Sequence, residues 1–343
     1  MRAAAFFDGE GWREGVVALD GERMLLRGEP AASDLPRLDG VIVGGFTDHH
    51  VHLQLVEHER LAGSRLGRVV DLGANPGVVA SYARAARVGP LRSRGDRDGD
   101  GPRSSSEERS DETERATRIE YAGAFLTPVG GYPSDRSWAP PGSFREIADA
   151  EQASAVVAEM ADTGATRIKV ASNSTAGPVF SDESFRTIVD AASARGLPVV
   201  AHAEGVGEAQ RVARLGVDAL AHAPFSERLT DDEIAEQAAS VSWISTLAIH
   251  GDLRAIPVDN VRRFHAAGGT VLYGTDMGNG PAPVDVNALE VAALREAGLD
   301  GIPLLRALAP VDPRDPASVL LVLPHPDADP TLARPLTTAD LEA

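Results

Sequence analysis

The sequence predicts an α/β fold in which strand–helix units follow one another along most of the chain. Short apolar runs, such as residues 197–201, end in a polar side chain and are typical of buried strands. Helical patterns precede the later runs and close with Gly196, Gly216 or Gly268, a typical helix stop. If such units close into a ring, the carboxyl ends of the strands meet at one mouth. We therefore expect a (β/α)8 TIM barrel.

Both ends of the chain carry short strand patterns outside these units. Residues 1–45 alternate apolar runs with Asp-Gly turns, and residues 317–323 form another apolar run bracketed by prolines. A β-meander of this size is too small to be stable alone. We therefore predict that residues 1–45 and 305–343 form a small β-sandwich beside a barrel of residues 46–304.

The composition limits the classes of partner. The 343 residues carry a net charge of −18, which repels nucleic acid and anionic membranes. There is no cysteine, so a metal ion would be held by nitrogen and oxygen. No apolar run is long enough for a signal peptide or a membrane span. We expect a cytoplasmic enzyme with a small-molecule substrate, and the composition leaves open whether it is a homo-oligomer.

The most informative stretch is residues 47–52, at the end of the first predicted barrel strand. Because side chains alternate along a strand, Asp48, His50 and His52 share one face, and His49 points to the other. Two imidazoles one residue apart can bind one metal ion, with Asp48 orienting them. The simpler alternative is a polar strand end with chance histidines.

Lys169 is the only lysine among the 33 basic residues. Arginine does not lose its proton in a protein, whereas a lysine amine in apolar surroundings can. Only a neutral amine adds carbon dioxide, and the resulting carbamate is an anion able to bridge two metal ions. The alternative is a lysine retained at a buried salt bridge.

Three further candidates, His202, His222 and Asp276, end later strand patterns. Ligands at the carboxyl ends of successive strands converge when the strands close into a barrel. The chain would then offer one site with six candidate metal ligands, which are His50, His52, Lys169, His202, His222 and Asp276.

The order of these residues resembles the binuclear metal-dependent amidohydrolase superfamily, in particular its imidazolonepropionase-like branch. The stretches that carry the resemblance are GGFTDHHVHL, LTPVGGYP, ATRIKVAS, VVAHAEG, GVDALAHA and VLYGTDM, in that order. They place H-x-H on the first strand, lysine on the fourth, histidine on the fifth and sixth, and aspartate on the eighth. The resemblance covers nearly the whole chain except about residues 90–117, and it implies the same barrel.

The resemblance also implies a binuclear metal centre. Its ligands would be His50, His52 and Asp276 for one ion, His202 and His222 for a second, and N6-carboxylated Lys169 bridging the two. Nitrogen and oxygen ligands suit Zn²⁺ and do not exclude Mn²⁺ or Fe²⁺. A hydroxide bridging the ions would attack an amide carbonyl, with Asp276 as general base and then general acid. Asp276 and Lys169 are thus the predicted catalytic residues.

Tyr132 and His222 are the predicted substrate-binding residues. Members of the superfamily usually carry histidine at the position of Tyr132, which faces the substrate. Tyr132 would either donate a hydrogen bond to a substrate carbonyl or carboxylate, or only wall the pocket.

The leading functional prediction is hydrolysis of an amide bond in a cyclic amide, an imide or a small dipeptide-like compound. Deamination of a heterocycle is an alternative, since Glu204 follows His202 closely enough to shuttle protons, although Lys169 argues against it. The same binuclear site also serves lactone and phosphoester hydrolysis. A non-enzymatic scaffold is disfavoured because all six ligand candidates are present. His250 follows the seventh predicted strand, where it could line the pocket, but a structural role is favoured because solitary histidines rarely serve in a site.

Residues 91–117 have almost no apolar side chains. Such a segment cannot offset the entropy of its own ordering, so we predict a disordered surface insertion. Residues 96–107 match the calcium-loop spacing D-x-D-x-D-G-x5-E. Pro102, Arg103 and the lack of flanking amphipathic helices argue against calcium binding there.

Overall fold

One mixed sheet and two parallel sheets account for the strands of the computed structural model. The structure describes residues 1–21, 23–88 and 117–342. The calcium-loop pattern and the predicted insertion, apart from Thr117, lie outside the described residues. The strands are β1 (Arg2–Phe7), β2 (Trp12–Asp20), β3 (Arg23–Arg27), β4 (Arg37–Gly44), β5 (Phe46–Val51), β6 (Leu66–Asp71), β7 (Arg118–Tyr121), β8 (Phe125–Pro128), β9 (Phe144–Ile147), β10 (Ile168–Asn173), β11 (Val199–Glu204), β12 (Ala219–Leu220), β13 (Ser242–Ile244), β14 (Val271–Leu272), β15 (Leu320–Leu323) and β16 (Arg334–Pro335).

Helices follow most of the parallel strands. Side chains cap four of the helix starts, those at Asp149, Ser181, Thr230 and Asn287. At Thr230 the predicted capping box with Glu233 is confirmed in both directions. In the described part of the chain, none of the helices is long and apolar enough to cross a bilayer. The helices are α1 (Pro76–Val88), α2 (Ala150–Asp162), α3 (Asp182–Ser193), α4 (Glu208–Arg214), α5 (Asp231–Ala238), α6 (Ala255–Ala266), α7 (Ala288–Glu296), α8 (Ile302–Leu308) and α9 (Ala339–Glu342).

The two ends of the chain share one sheet of strand order β16-β15-β4-β1-β2-β3. β15 pairs antiparallel with β4, opposing Leu321 to Val43. Alternation sends Val43 and Leu321 into the main core, whereas Ile42 and Val322 belong to a smaller cluster on the other face. In the described residues this is a single six-stranded sheet, where the sequence predicted a sandwich of two sheets.

The parallel strands form a seven-stranded sheet, β14-β13-β12-β11-β10-β8-β9, and a three-stranded sheet, β5-β6-β7. Backbone hydrogen bonds connect the two. The amide of His49 donates to the carbonyl of Tyr273 at 2.9 Å, and the amide of Thr166 donates to the carbonyl of Tyr121 at 2.9 Å. A parallel bridge also joins Val51 to Met277. The fold is therefore mixed α/β with parallel sheets in a partly barrel-like layout.

Alternate side chains of the parallel strands go to different apolar clusters. Val69 joins the large core that also contains helix residues such as Phe185, whereas its neighbour Val70 joins a small cluster with Val200 and Ile244. Strands covered by apolar side chains on both faces are typical of parallel sheets in α/β proteins. This packing holds the strands rigidly, so the polar residues that follow them are held in defined positions.

Residues 53–66 have an apolar spacing that predicts a helix, but the structure has two short 3-10 turns there, Leu53–Leu55 and His58–Leu61. The amide of Leu53 donates to the carboxylate of Asp71, on the neighbouring strand β6, at 2.7 Å. This tertiary hydrogen bond holds the start of the segment against the carboxyl end of β6.

Candidate active site

One large cavity, of about 800 Å³, opens beside the ends of the parallel strands. All six predicted metal ligands line it, together with Tyr132 and Glu204. Convergence of residues that lie far apart in the sequence, on several successive strands, is what the predicted layout requires. The ligand candidates on its wall are His50, His52, Lys169, His202, His222 and Asp276.

His50, His52 and Asp276 form a group that could hold a metal ion, with their donor atoms within 4.8 Å of one another. Asp276 Oδ1 lies 3.3 Å from Nε2 of His50 and 3.1 Å from Nε2 of His52. On the far side of each ring, Nδ1 faces a backbone carbonyl, that of Ala221 at 2.8 Å and that of Gly73 at 3.2 Å. Because a carbonyl only accepts, Nδ1 carries the proton and Nε2 presents its lone pair to the group.

The backbone at Asp276 is held in an unusual conformation, with φ of 53°. Positive φ is rare for residues other than glycine and persists where the surrounding structure requires it. The amide of Asn279 donates from Nδ2 to Oδ2 of Asp276 at 2.9 Å. Oδ1 is buried without a hydrogen-bond donor among the described residues. Burial acts to raise the pKa of Asp276, and the imidazoles of His50 and His52, when protonated, act in the opposite direction and hold it well below its usual range.

Asp48 supports the site through the backbone. Its Oδ1 accepts from the amides of His50 at 3.0 Å and Thr275 at 3.1 Å, and its Oδ2 accepts from the Thr275 hydroxyl at 2.5 Å. Asp48 was predicted to contact the imidazole rings. Instead, its hydrogen bonds connect the strand that carries His50 to Thr275, the residue before Asp276. Burial raises the pKa of Asp48 to about 7.

Lys169 lies on β10 with 1% of its surface exposed, and its Nζ has no hydrogen-bond partner in the described chain. Nζ lies 5.7 Å from the ring centroid of Phe125. Burial lowers the pKa of Lys169 to about 7, although Asp276 and Asp71 oppose the shift. The salt bridge that the sequence left as an alternative does not occur among the described residues.

His202 and His222 lie next to this group, with ring centroids 5.0 Å apart. His222 is also 4.7 Å from His50, and its Nδ1 is 2.9 Å from the Thr246 hydroxyl. Nε2 of His202 is 3.2 Å from the carboxylate of Glu204. These two histidines do not belong to a group of three histidine or carboxylate donors in the described residues. Their role as ligands of a second ion stays a prediction.

Solved structures share this architecture. A Xaa-Pro dipeptidase with bound methionine superposes with a TM-score of 0.69, at 16% identity, covering 96% of this chain and 93% of that chain. An ochratoxinase from A. niger gives 0.70 at 16% identity over 94% and 89%. A protein described as an amidohydrolase gives 0.65 at 17% identity over 99% and 93%. The chain shares the fold of these proteins. No protein-family model and no curated protein matches the sequence.

This likeness of fold is consistent with the resemblance drawn from the order of the ligand candidates, and the solved structures that share it are 16 to 17% identical to this chain. The coverage extends over nearly the full length of the solved chains, so it includes the terminal sheet as well as the parallel sheets. The structure also shows where the six candidate ligands lie, which is at the ends of several strands around one cavity.

Tyr132 lies on the wall of the same cavity. Its ring stacks on His202 with centroids 5.1 Å apart and an interplanar angle of 25°, and it lies 6.0 Å from Trp138. Burial raises the pKa of Tyr132, so its hydroxyl stays protonated and can donate. Its role as a substrate-binding residue stays a prediction, as does that of His222.

Several cavity residues were missed by sequence reasoning. His250, to which the sequence assigned a structural role, lies on the cavity wall with its ring 4.6 Å from that of Phe225. Its Nε2 is buried without a partner among the described residues. The signal for His250 was its place shortly after a predicted strand. Phe125 on β8 and the loop residues Trp138 and Phe225 carry no comparable signal, because single aromatic residues match no motif.

Proposed function

We propose that the protein is a metal-dependent hydrolase that cleaves a carbon–nitrogen bond of an amide. The observation that carries this proposal is that Nε2 of His50 and Nε2 of His52 lie 3.3 and 3.1 Å from Oδ1 of Asp276, which is buried without a hydrogen-bond donor among the described residues. Burial lowers the pKa of His50 well below its ordinary value, so its imidazole is neutral, as a metal ligand must be. The donor set of nitrogen and oxygen suits Zn²⁺.

We propose a second ion, held by His202, His222 and a carboxylated Lys169. His202 and His222 are a pair of neutral donors that lack an anionic third ligand. Lys169 is buried beside the same cavity with an unpartnered amine. Addition of carbon dioxide to the neutral amine forms an N–C bond, releases one proton and leaves a carbamate anion. Carboxylated Lys169 would supply the missing ligand and bridge it to the site of His50, His52 and Asp276.

The chemistry follows from what each group can do. Bound divalent ions activate water for attack and polarise the substrate carbonyl. Oδ1 of Asp276, which has no donor of its own, would take a proton and release it to the leaving nitrogen, while Asn279 holds Oδ2 in place. The Tyr132 hydroxyl would donate to a substrate oxygen. The buried position of Asp276 excludes bulk water from that proton.

The proposal includes closure of the parallel strands into one (β/α)8 barrel. The backbone bond from His49 to Tyr273 joins β5 to the segment after the edge strand β14, and the bond from Thr166 to Tyr121 joins β7 to the segment before β10. Val51 also pairs with Met277. In a closed barrel the carboxyl ends of all strands face one mouth, which is where catalytic residues of this architecture lie. The Xaa-Pro dipeptidase and the amidohydrolase of similar fold support the reaction class through their names alone.

Metal content and substrate hydrolysis test this proposal together. Purified protein should carry about two transition-metal ions per chain, measured by mass spectrometry of the metals. A panel of cyclic imides, hydantoins, lactones and N-acyl amino acids should then identify an amide that the loaded protein cleaves. Protein that binds no transition metal under any loading condition would contradict the proposal.

Glu204 favours one second candidate, the deamination of a heterocycle. Its carboxylate lines the cavity, lies 3.2 Å from Nε2 of His202, and accepts from Asn173 at 2.7 Å. A carboxylate in this position can transfer protons during attack on a ring carbon. About one ion per chain, with release of ammonia from an intact ring, would replace the amide proposal by this one.

A further inference from the structure

We propose that the cavity binds uncharged amides with an aromatic or other apolar group next to the scissile bond, and disfavours ligands that carry a carboxylate. The inference rests on the proposed hydrolytic function and deepens it by naming the class of substrate. It stands on three features of the cavity, which are its aromatic walls, its apolar mouth and the distribution of charged side chains around it.

Aromatic rings form two parts of the cavity wall. Phe125 stacks on His52 at 5.7 Å and lies 6.4 Å from Trp138, which in turn is 6.0 Å from Tyr132. Phe225 forms another part, beside His222 at 5.9 Å. Rings at these spacings offer faces and edges to a ligand ring, and burial of that ring is favourable in itself. The walls therefore fit a flat apolar group that extends from the metal-binding residues.

The mouth of the cavity is apolar as well. Leu289 lines the cavity with 72% of its surface exposed, and Trp138 lines it with 41% exposed. Large apolar side chains left in water around a concave site mark a binding surface for an apolar ligand. A ligand that covers Leu289 and Trp138 would remove them from water.

The charges around the cavity disfavour an anionic ligand. No arginine lines the cavity in the described part of the chain, and its one lysine, Lys169, is assigned to the metal ions. Burial lowers the pKa of His250, so this imidazole is neutral. Glu204 adds a carboxylate to the wall. A ligand carboxylate held on this wall, away from the proposed metal ions, would lose its water and meet the carboxylate of Glu204 without a cationic side chain among the residues that line the cavity.

Arg136 is a cation near the mouth of the cavity, and its guanidinium already has partners within the chain. Its guanidinium carbon lies 5.7 Å from the ring centroid of Tyr132, and its Nε lies 3.3 Å from the carboxylate of Asp135. Arg136 is not among the residues that line the cavity. It therefore provides a control, because a role in binding a carboxylate would appear as a loss of affinity in an Arg136→Gln variant.

Three small amides test separately the preference for an aromatic group and the discrimination against a carboxylate. N-isobutylbenzamide and N-benzoylglycine have the same acyl group, and the isopropyl end of the first has nearly the shape of the carboxylate of the second. N-isobutylacetamide lacks the ring. Binding to zinc-loaded protein is measured by calorimetry, and cleavage is followed separately by chromatography. N-isobutylbenzamide should bind roughly tenfold or more tightly than either of the other two.

The variants locate the charge effect. Glu204→Gln should reduce the discrimination against N-benzoylglycine by about threefold, and Arg136→Gln should leave it unchanged. Equal or tighter binding of N-benzoylglycine, or no binding of any of the three, would overturn the inference. Preferential binding of N-isobutylbenzamide without cleavage of any amide would count against the hydrolytic function and leave the ligand class standing.

Discussion

Arg167 and Lys169 are two basic residues of one strand segment, and their surroundings differ completely. Arg167 has its guanidinium 2.6 Å from the carboxylate of Glu120, which also lies 3.1 Å from Arg118 and 3.7 Å from Arg68. Lys169 is more deeply buried, and its amine has no hydrogen-bond partner among the described residues. One charge is compensated within the chain, and the other is not.

The difference separates structural charge from functional charge. A buried ion pair is satisfied by the fold itself and needs nothing further. An unpartnered buried amine is costly unless it becomes neutral or gains a ligand, and the same holds for Oδ1 of Asp276 and Nε2 of His250 on the same cavity. These unpartnered groups around one cavity are the ones that we propose bind the ions and the substrate.

Replacing Lys169 should have the largest effect on activity. Lys169→Ala removes the bridging anion, so the protein should lose metal and at least roughly a thousandfold in kcat/KM, which corresponds to several kcal/mol of transition-state stabilisation. Metal content and turnover of the cleaved amide are the measurements. A short-chain carboxylic acid should restore part of both, because it can occupy the vacated space as an anion.

Lys169→Arg is the matched control for this comparison. Arginine keeps the positive charge and cannot be carboxylated, since its guanidinium stays protonated. The variant should therefore be as inactive as Lys169→Ala. An active Lys169→Arg protein would rule out the carbamate.

Replacing Arg167 should instead affect stability. Arg167→Met leaves Glu120 with its longer contacts to Arg118 and Arg68, so the free energy of unfolding should fall by about 2 to 3 kcal/mol. Metal content should not change. In metal-free protein, Lys169→Met should be at least as stable as the wild type, because it removes an uncompensated buried charge. Denaturant unfolding measures the free energy of unfolding of both variants. An equal loss in Arg167→Met and Lys169→Met would contradict the distinction between a compensated and an uncompensated buried charge.

Thr246 gives the smallest of the three effects. Its hydroxyl contacts Nδ1 of His222 at 2.9 Å, and its φ is 42°. Thr246→Val removes the partner of Nδ1 and should weaken metal binding by about tenfold or more. Thr246→Ser keeps the hydroxyl and should retain the affinity. Competition with a chelator measures both, and equal affinities would show that His222 is not a ligand whose orientation matters.

Local patterns were sufficient to predict much of the site. The alternation of His50 and His52, the helix stop before His202 and the uniqueness of Lys169 are all properties of short stretches, and the structure brings these residues to one cavity. The same reasoning did not predict the turns at residues 53–66. Their conformation depends on a hydrogen bond to Asp71 on another strand, which no local pattern contains.

The sequence by itself determined most of the alternation of parallel strands with helices and the identity of the metal-ligand candidates, because hydrophobic periodicity and side-chain chemistry are local properties. Only the tertiary structure decided which polar atoms remain unpartnered. It also decided that Asp48 accepts hydrogen bonds from the amides of His50 and Thr275, and that His250 lies beside Phe225 on the cavity wall. Those outcomes depend on distances between residues far apart in the chain, and these distances exist only once the core has packed.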